Sequence, residues 1–148
     1  MGKWIMVRSM ATWVVKGLLA RSSRPGYPSQ DVETGEVDSW LENVAVMGIK
    51  SIICLLDAEQ LGYYRRLRAG LLVSYRERGF QVVQIPIRDP AYDQRGWQEL
   101  EENLDAIYRA FLALPKPVLI HCSAGIERTG RAVEYILRQR DAGWGKES

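Results

Sequence analysis

Val118-Leu119-Ile120-His121-Cys122-Ser123-Ala124-Gly125-Ile126-Glu127-Arg128-Thr129-Gly130 joins an apolar run to a short loop and then to a new helix. Val118 to His121 has the unbroken apolar character of a strand covered on both faces. Pro115 and Pro117 precede it and stop any helix arriving from upstream. Thr129 to about Arg140 reads as the last helix. Between them the chain passes from strand end to helix start through one tight loop.

The same alternation extends upstream. Asp93 to Leu114 predicts a helix, with Leu100, Leu104, Ile107 and Phe111 as its apolar stripe. Val82 to Ile87 predicts a strand. Tyr63 to Arg78 carries Leu67, Leu71 and Tyr75 at helical spacing, with Gly79 as a stop. Ser51 to Leu56 is a second buried-strand pattern. Asp38 is positioned to cap a helix through Met47, ended by Gly48. Arg21 to Thr34 reads as a long loop, and Met10 to Ala20 as a strand or hairpin arm. Strands alternating with helices imply an α/β fold: a central, mostly parallel sheet flanked by helices. In such folds ligands bind beyond the carboxyl ends of the strands. Two loops qualify, one after Ile87 and one after His121.

The 148 residues suit a single domain spanning 1–148, with residues 1–11 as a candidate N-terminal extension. Hydrophobic residues at 47% and charged residues at 26% exclude wholesale disorder. Twenty basic against 18 acidic residues, net +2, do not suggest a dedicated nucleic-acid binder. Residues 1–30 hold five basic residues and no acid, which we read as a first strand plus loop rather than a transit peptide. No apolar run approaches the ~20 residues of a membrane span. One histidine and two cysteines, Cys54 and Cys122, exclude a disulfide scaffold and a multi-histidine metal centre and argue against a closed zinc site. The expected location is cytoplasmic; the oligomeric state stays open.

The loop after His121 has the chemistry of an anion site. Cys122 ends the strand, and Arg128 follows at the first turn of the helix. The residues between, Ser123, Ala124, Gly125, Ile126 and Glu127, can curl so that their N–H groups face inward as a nest. Arg128 adds a planar fork for two phosphate oxygens. The same field favours a thiolate at Cys122, a nucleophile for phosphorus. The Thr129 hydroxyl is placed to stabilise that sulfur when it later leaves.

His121 to Thr129 matches HCxxGxxR[ST], and here the chain resembles the cysteine-dependent protein tyrosine phosphatases, in particular their small dual-specificity branch. The resemblance spans about residues 12–140, with the motif as its most specific part. It implies hydrolysis of phosphotyrosine, and of phosphoserine or phosphothreonine, in a phosphorylated protein or peptide, with no cofactor and no metal. It gives His121 a supporting role in orienting the loop. The family's general acid follows a strand in a pattern similar to IPxxD. Ile85-Pro86-Ile87-Arg88-Asp89 fits, so Asp89 is the expected acid and Asp93 a helix cap. Cys122 would attack phosphorus while Asp89 protonates the leaving oxygen. Asp89 would then activate water against the phosphocysteine.

Glu127 departs from the glycine common in the family, and Ile126 stands where members acting on inositol phosphates tend to carry lysine. A phosphoinositide or RNA 5′-phosphate substrate and a phosphate-binding pseudophosphatase are the alternatives, with thiol transfer by Cys122 further off. Three lesser expectations accompany these. Arg65, Arg66, Arg68, Arg76 and Arg78 would form a basic face on one helix. Tyr27 is a candidate wall for a phosphotyrosine ring, and a Cys54–Cys122 disulfide is a candidate redox switch.

Overall fold

The computed structural model describes residues 11–147. A hairpin, β1 (Thr12–Val15) and β2 (Leu19–Ser22), leads through a long loop to α1 (Thr34–Val46) and β3 (Ser51–Cys54). A short helix, α2 (Ala58–Leu61), runs into a 3-10 turn at Gly62–Tyr64. Then come α3 (Leu71–Glu77), β4 (Gln81–Gln84), α4 (Arg95–Ala113), β5 (Val118–His121) and α5 (Glu127–Glu147).

The sheet has five strands in the order β1-β2-β5-β3-β4. The β1–β2 pair is antiparallel, and the other pairings are parallel. The sheet is therefore mixed, as the hairpin arm and the three crossovers require. All residues of β3 and β5 are buried, because alternate side chains enter two different cores. Ile53, Val118 and Ile120 pack with Leu100, Leu104, Ile107 and Phe111 of α4 and with Ile136 of α5. Ile52, Cys54 and Leu119 pack with Trp40, Leu41 and Val44 of α1 and with Leu71 and Tyr75 of α3. Strand β4 lies at the sheet's edge and is only half-buried.

Register places the site. Ser22 and Cys54 both lie beside His121, so the chains leaving β2, β3 and β5 emerge together.

Several element boundaries differ from expectation. Helix α1 begins at Thr34, so Asp38 lies inside it and pairs with Arg78 at 2.7 Å. The segment Tyr63–Arg78 is not one helix, because a turn ending at Gly70 separates the 3-10 turn from α3. The five arginines therefore share no single face. Arg66 grips Asp31 through two bonds of 2.9 and 3.0 Å, and Arg65 approaches the same carboxylate at 3.4 Å. Strands β3 and β4 end at Cys54 and Gln84, and the extended residues beyond them carry the site loops. Helix α5 starts at Glu127, two residues before Thr129. Met10 lies outside the described residues.

Candidate active site

The loop from Cys122 to Arg128 is shaped by where its carbonyls go. The Cys122 carbonyl accepts from His121 Nδ1 at 3.0 Å. The Ser123 carbonyl accepts from the Arg24 amide at 2.9 Å, and the Gly125 carbonyl from Arg21 NH2 at 2.8 Å. Ile126 O takes the first helical bond, from Gly130 N, at 2.8 Å. In a trans peptide the next N–H points opposite to the carbonyl. The amides of Ser123, Ala124, Ile126 and Glu127 are thus turned away from these partners. The N–H groups of residues 123–128 meet no acceptor among the described residues. Together with the start of α5 they leave a row of unpaired donors that can receive an anion.

Gly125 makes the curl possible. Its φ is +78°, and a Cβ there would stand 2.7 Å from the Ser22 carbonyl and the Ser23 nitrogen. Any other residue meets both strain and a backbone collision.

Arg128 is almost wholly buried, at 1% exposure. Its NH1 donates to Ile87 O at 2.8 Å and Leu55 O at 3.2 Å, the chain ends beyond β4 and β3. Its NH2 donates to Asp89 Oδ2 at 2.9 Å. A guanidinium has five N–H donors, so these bonds leave Nε–H and one NH2 hydrogen for an oxyanion. The arrangement anchors one side of the fork and leaves the other for two phosphate oxygens.

Asp89 is buried at 8% exposure beside that fork. Its Oδ2 also accepts from Gln60 Nε2 at 2.8 Å, and its Oδ1 accepts from Ala91 N at 3.0 Å. Gly96 holds this loop in place: a Cβ there would run into the backbone carbonyl of Arg88. Asp93 instead faces solvent in a turn with Arg95, whose amide and side chain both bond it. Those bonds hold its carboxyl down to about 2.

His121 is fully buried. A carbonyl only accepts, so Nδ1 carries the hydrogen to Cys122 O, and Nε2 accepts from the Tyr75 hydroxyl at 2.9 Å. Burial, with Arg128 and Arg24 nearby, pushes the imidazole down to about 4, against the Cys122 hydrogen bond that raises it. It is neutral at pH 7 and serves as a strut for the loop. Cys122 is buried, packed into the α4–α5 core. The Thr129 hydroxyl is buried with no hydrogen-bond partner.

Three contributors were missed in the sequence. Arg24, at 2% exposure, donates through Nε to Ser123 Oγ at 3.0 Å and lies over the Tyr63 ring at 4.8 Å. Arg21 holds the Gly125 carbonyl, and Gln60 holds Asp89. No local motif marks them, since each reaches its partner across at least 29 residues.

Beside the loop lies a cleft of about 640 Å³, lined by Asp57, Glu59, Gln60, Tyr63, Asp89 and Tyr92 among others. It reaches the site at Asp89 and Gln60, while Cys122 and Arg128 lie outside its lining. Tyr63 and Tyr92 wall it, whereas Tyr27 packs on Arg24 at 5.5 Å. Cys54 belongs to the α1–α3 core and Cys122 to the α4–α5 core, and the two stand near each other at the carboxyl edge of the sheet, Cys54 beside His121. Both are free, and burial pushes the Cys54 thiol up to about 12. Glu127 is half-buried at the start of α5.

Comparison with known proteins agrees with this geometry. Residues 30–141 match a family model described as "Polymorphic toxin system, DSP-PTPase phosphatase". Among solved structures, the chain is similar to kinase associated phosphatase with its catalytic-site cysteine replaced by serine. The TM-score is 0.58 at 22% identity, over 82% of this chain and 65% of that one. It is also similar to a putative phosphatase (DUF442) from Shewanella putrefaciens CN-32, with TM-score 0.52 and 15% identity over 95% and 79% of the two chains. No curated protein matches. At these identities the two structures speak for the fold, a dual-specificity-phosphatase-like α/β sheet, and the family match covers most of the chain. This chain belongs to the DSP-PTPase phosphatase family of polymorphic toxin systems.

Proposed function

We propose that this phosphatase hydrolyses phosphotyrosine in proteins or peptides, with phosphoserine and phosphothreonine as further substrates, through a phosphocysteine intermediate. What supports the reading is that the unpaired amides after Cys122, the Arg128 fork and the buried Asp89 carboxyl bonded to it stand at one loop, which the neutral His121 props from behind.

The Cys122 thiolate attacks phosphorus as the P–O ester bond breaks, and Asp89 delivers its proton to the departing oxygen. Water then attacks the phosphocysteine, giving a proton back to Asp89. Cys122 leaves as a thiolate stabilised by the Thr129 hydroxyl. The amides of residues 123–128 and Arg128 hold the equatorial oxygens in both steps. The nest supplies the positive charge, so no metal enters.

The cleft supports a protein substrate over a polyanionic one. Asp57, Glu59, Asp93 and Glu99 line it against one arginine, Arg88, which repels phosphoinositide or nucleic-acid backbones. Tyr63 and Tyr92 offer walls for a peptide or an aromatic ester. One catalytic domain across residues 1–148 and a reducing, cytoplasmic setting fit a thiol nucleophile.

Peptides bearing each of the three phosphoamino acids, assayed beside a phosphoinositide and an RNA 5′-phosphate, test the reading. Phosphopeptide turnover that survives chelator, stops with vanadate and vanishes in Cys122→Ser supports it. Full activity in Cys122→Ser, or preference for the lipid or RNA, overturns it.

A further inference from the structure

Gln60 is buried at 2% exposure, yet only half of its amide is used. Its backbone is fixed, because Gln60 N donates to the Asp57 carboxylate at 2.9 Å at the start of α2. Its Nε2 donates to Asp89 Oδ2 at 2.8 Å. Its Oε1 is buried with no hydrogen-bond partner, one of two such side-chain atoms among the described residues. A buried acceptor without a donor is rare and calls for a reason.

The partners of Asp89 supply one. Gln60 Nε2, Arg128 NH2 and Ala91 N all donate to it, the contact set of a carboxylate. The acid form needs an acceptor opposite its O–H. A guanidinium and a peptide N–H cannot accept. Of the three, Gln60 alone can exchange donor for acceptor, by turning its terminal amide over without moving the backbone. That turn also gives Oε1 its missing donor.

We propose that Gln60 is a positioning residue that follows the proton on Asp89. It donates through Nε2 to the carboxylate and accepts through Oε1 from the carboxylic acid. The inference rests on the assignment of Asp89 as general acid made above. In the first step the acid's O–H lets go of Gln60 Oε1 and turns to the leaving oxygen, and its proton passes there as the S–P bond forms and the P–O bond breaks; Gln60 then turns Nε2 toward the new carboxylate. In the second step water's oxygen bonds phosphorus, its proton returns to Asp89 and the S–P bond breaks; Gln60 turns back. The charged groups around the pair are Arg128, Asp57 and Glu59, Arg88 and Asp93 in Asp89's own loop, and Glu99 of α4.

Gln60→Leu and Gln60→Met, which remove both functions, are compared with wild type on p-nitrophenyl phosphate and on a phosphoserine peptide. The nitrophenolate leaves without an acid's help, whereas the serine alkoxide does not. We expect kcat on the peptide to fall about tenfold with KM held, and kcat on the nitrophenyl ester to change less than about twofold. Equal losses on both substrates, or none on either, would overturn the proposal. Two variants guard against a folding failure, and a second readout needs no turnover. In nitrogen-labelled protein the Gln60 side-chain amide signals should move with the Asp89 titration and stay still in Asp89→Asn. Signals that ignore the Asp89 proton contradict the role of Gln60. A wild type inactive on both substrates refutes the proposed function, and the amide titration still decides the role of Gln60.

Discussion

Arg128 is the residue on which the site turns, because it ties three chain segments together and keeps two N–H donors without partners among the described residues. Its NH1 bridges the chain ends beyond β3 and β4, and its NH2 meets Asp89. Lysine keeps the charge but has a single nitrogen, so it cannot bridge those carbonyls and also present a two-pronged face. Arg128→Lys should lower kcat by about 10²–10³-fold. Rates on p-nitrophenyl phosphate check this, and near-wild-type turnover would show that the fork is not used. That Cys122, Arg128 and Asp89 come to the same edge of the sheet was legible in the sequence because each follows the end of a strand. Arg24 and Gln60 were not. Their value comes from burial against residues 99 and 29 positions away, which no local pattern encodes.

Among elements, the strand-loop-helix unit from β5 to α5 was the most legible, since an unbroken apolar run and a glycine-bearing loop are both local signals. The segment 63–78 was misread for the converse reason. Leu67, Leu71 and Tyr75 keep helical spacing, but all three pack on the α1–α3 core from a broken chain. The loop between β4 and α4 depends on a contact the sequence hides. Gly96, in the first turn of α4, lets the Arg88–Pro90 backbone lie directly on the helix. Gly96→Ala should displace Asp89 while leaving the Cys122 loop in place. We expect turnover of a phosphoserine peptide to drop at least about tenfold, with vanadate affinity nearly unchanged. Vanadate inhibition curves beside peptide kinetics measure both, and a parallel loss of the two would show that the loops are not independent.

Across the whole molecule, two cores meet at one buried histidine. His121 touches the Trp40 and Tyr75 rings on one side and the Cys122 carbonyl on the other. Burial holds it down to about 4, from an ordinary value of 6.5. Between those two values the unfolded chain takes up a proton that the folded chain refuses. Stability is therefore complete above about pH 6.5 and falls as pH drops toward 4, by about 3 kcal/mol in full. Asp93, held down to about 2 chiefly by the Arg95 hydrogen bond, acts only at lower pH. Urea unfolding at pH 7 and pH 4.5 checks this, and equal midpoints would mean that the imidazole is charged in the fold.

The most direct test of the account is rapid-quench mass spectrometry of the enzyme during turnover of an aryl phosphate. One phosphoryl group on Cys122, absent from Cys122→Ser, is the result the account predicts. A phosphoryl group on any other residue, or steady turnover with Cys122 never modified, would contradict it.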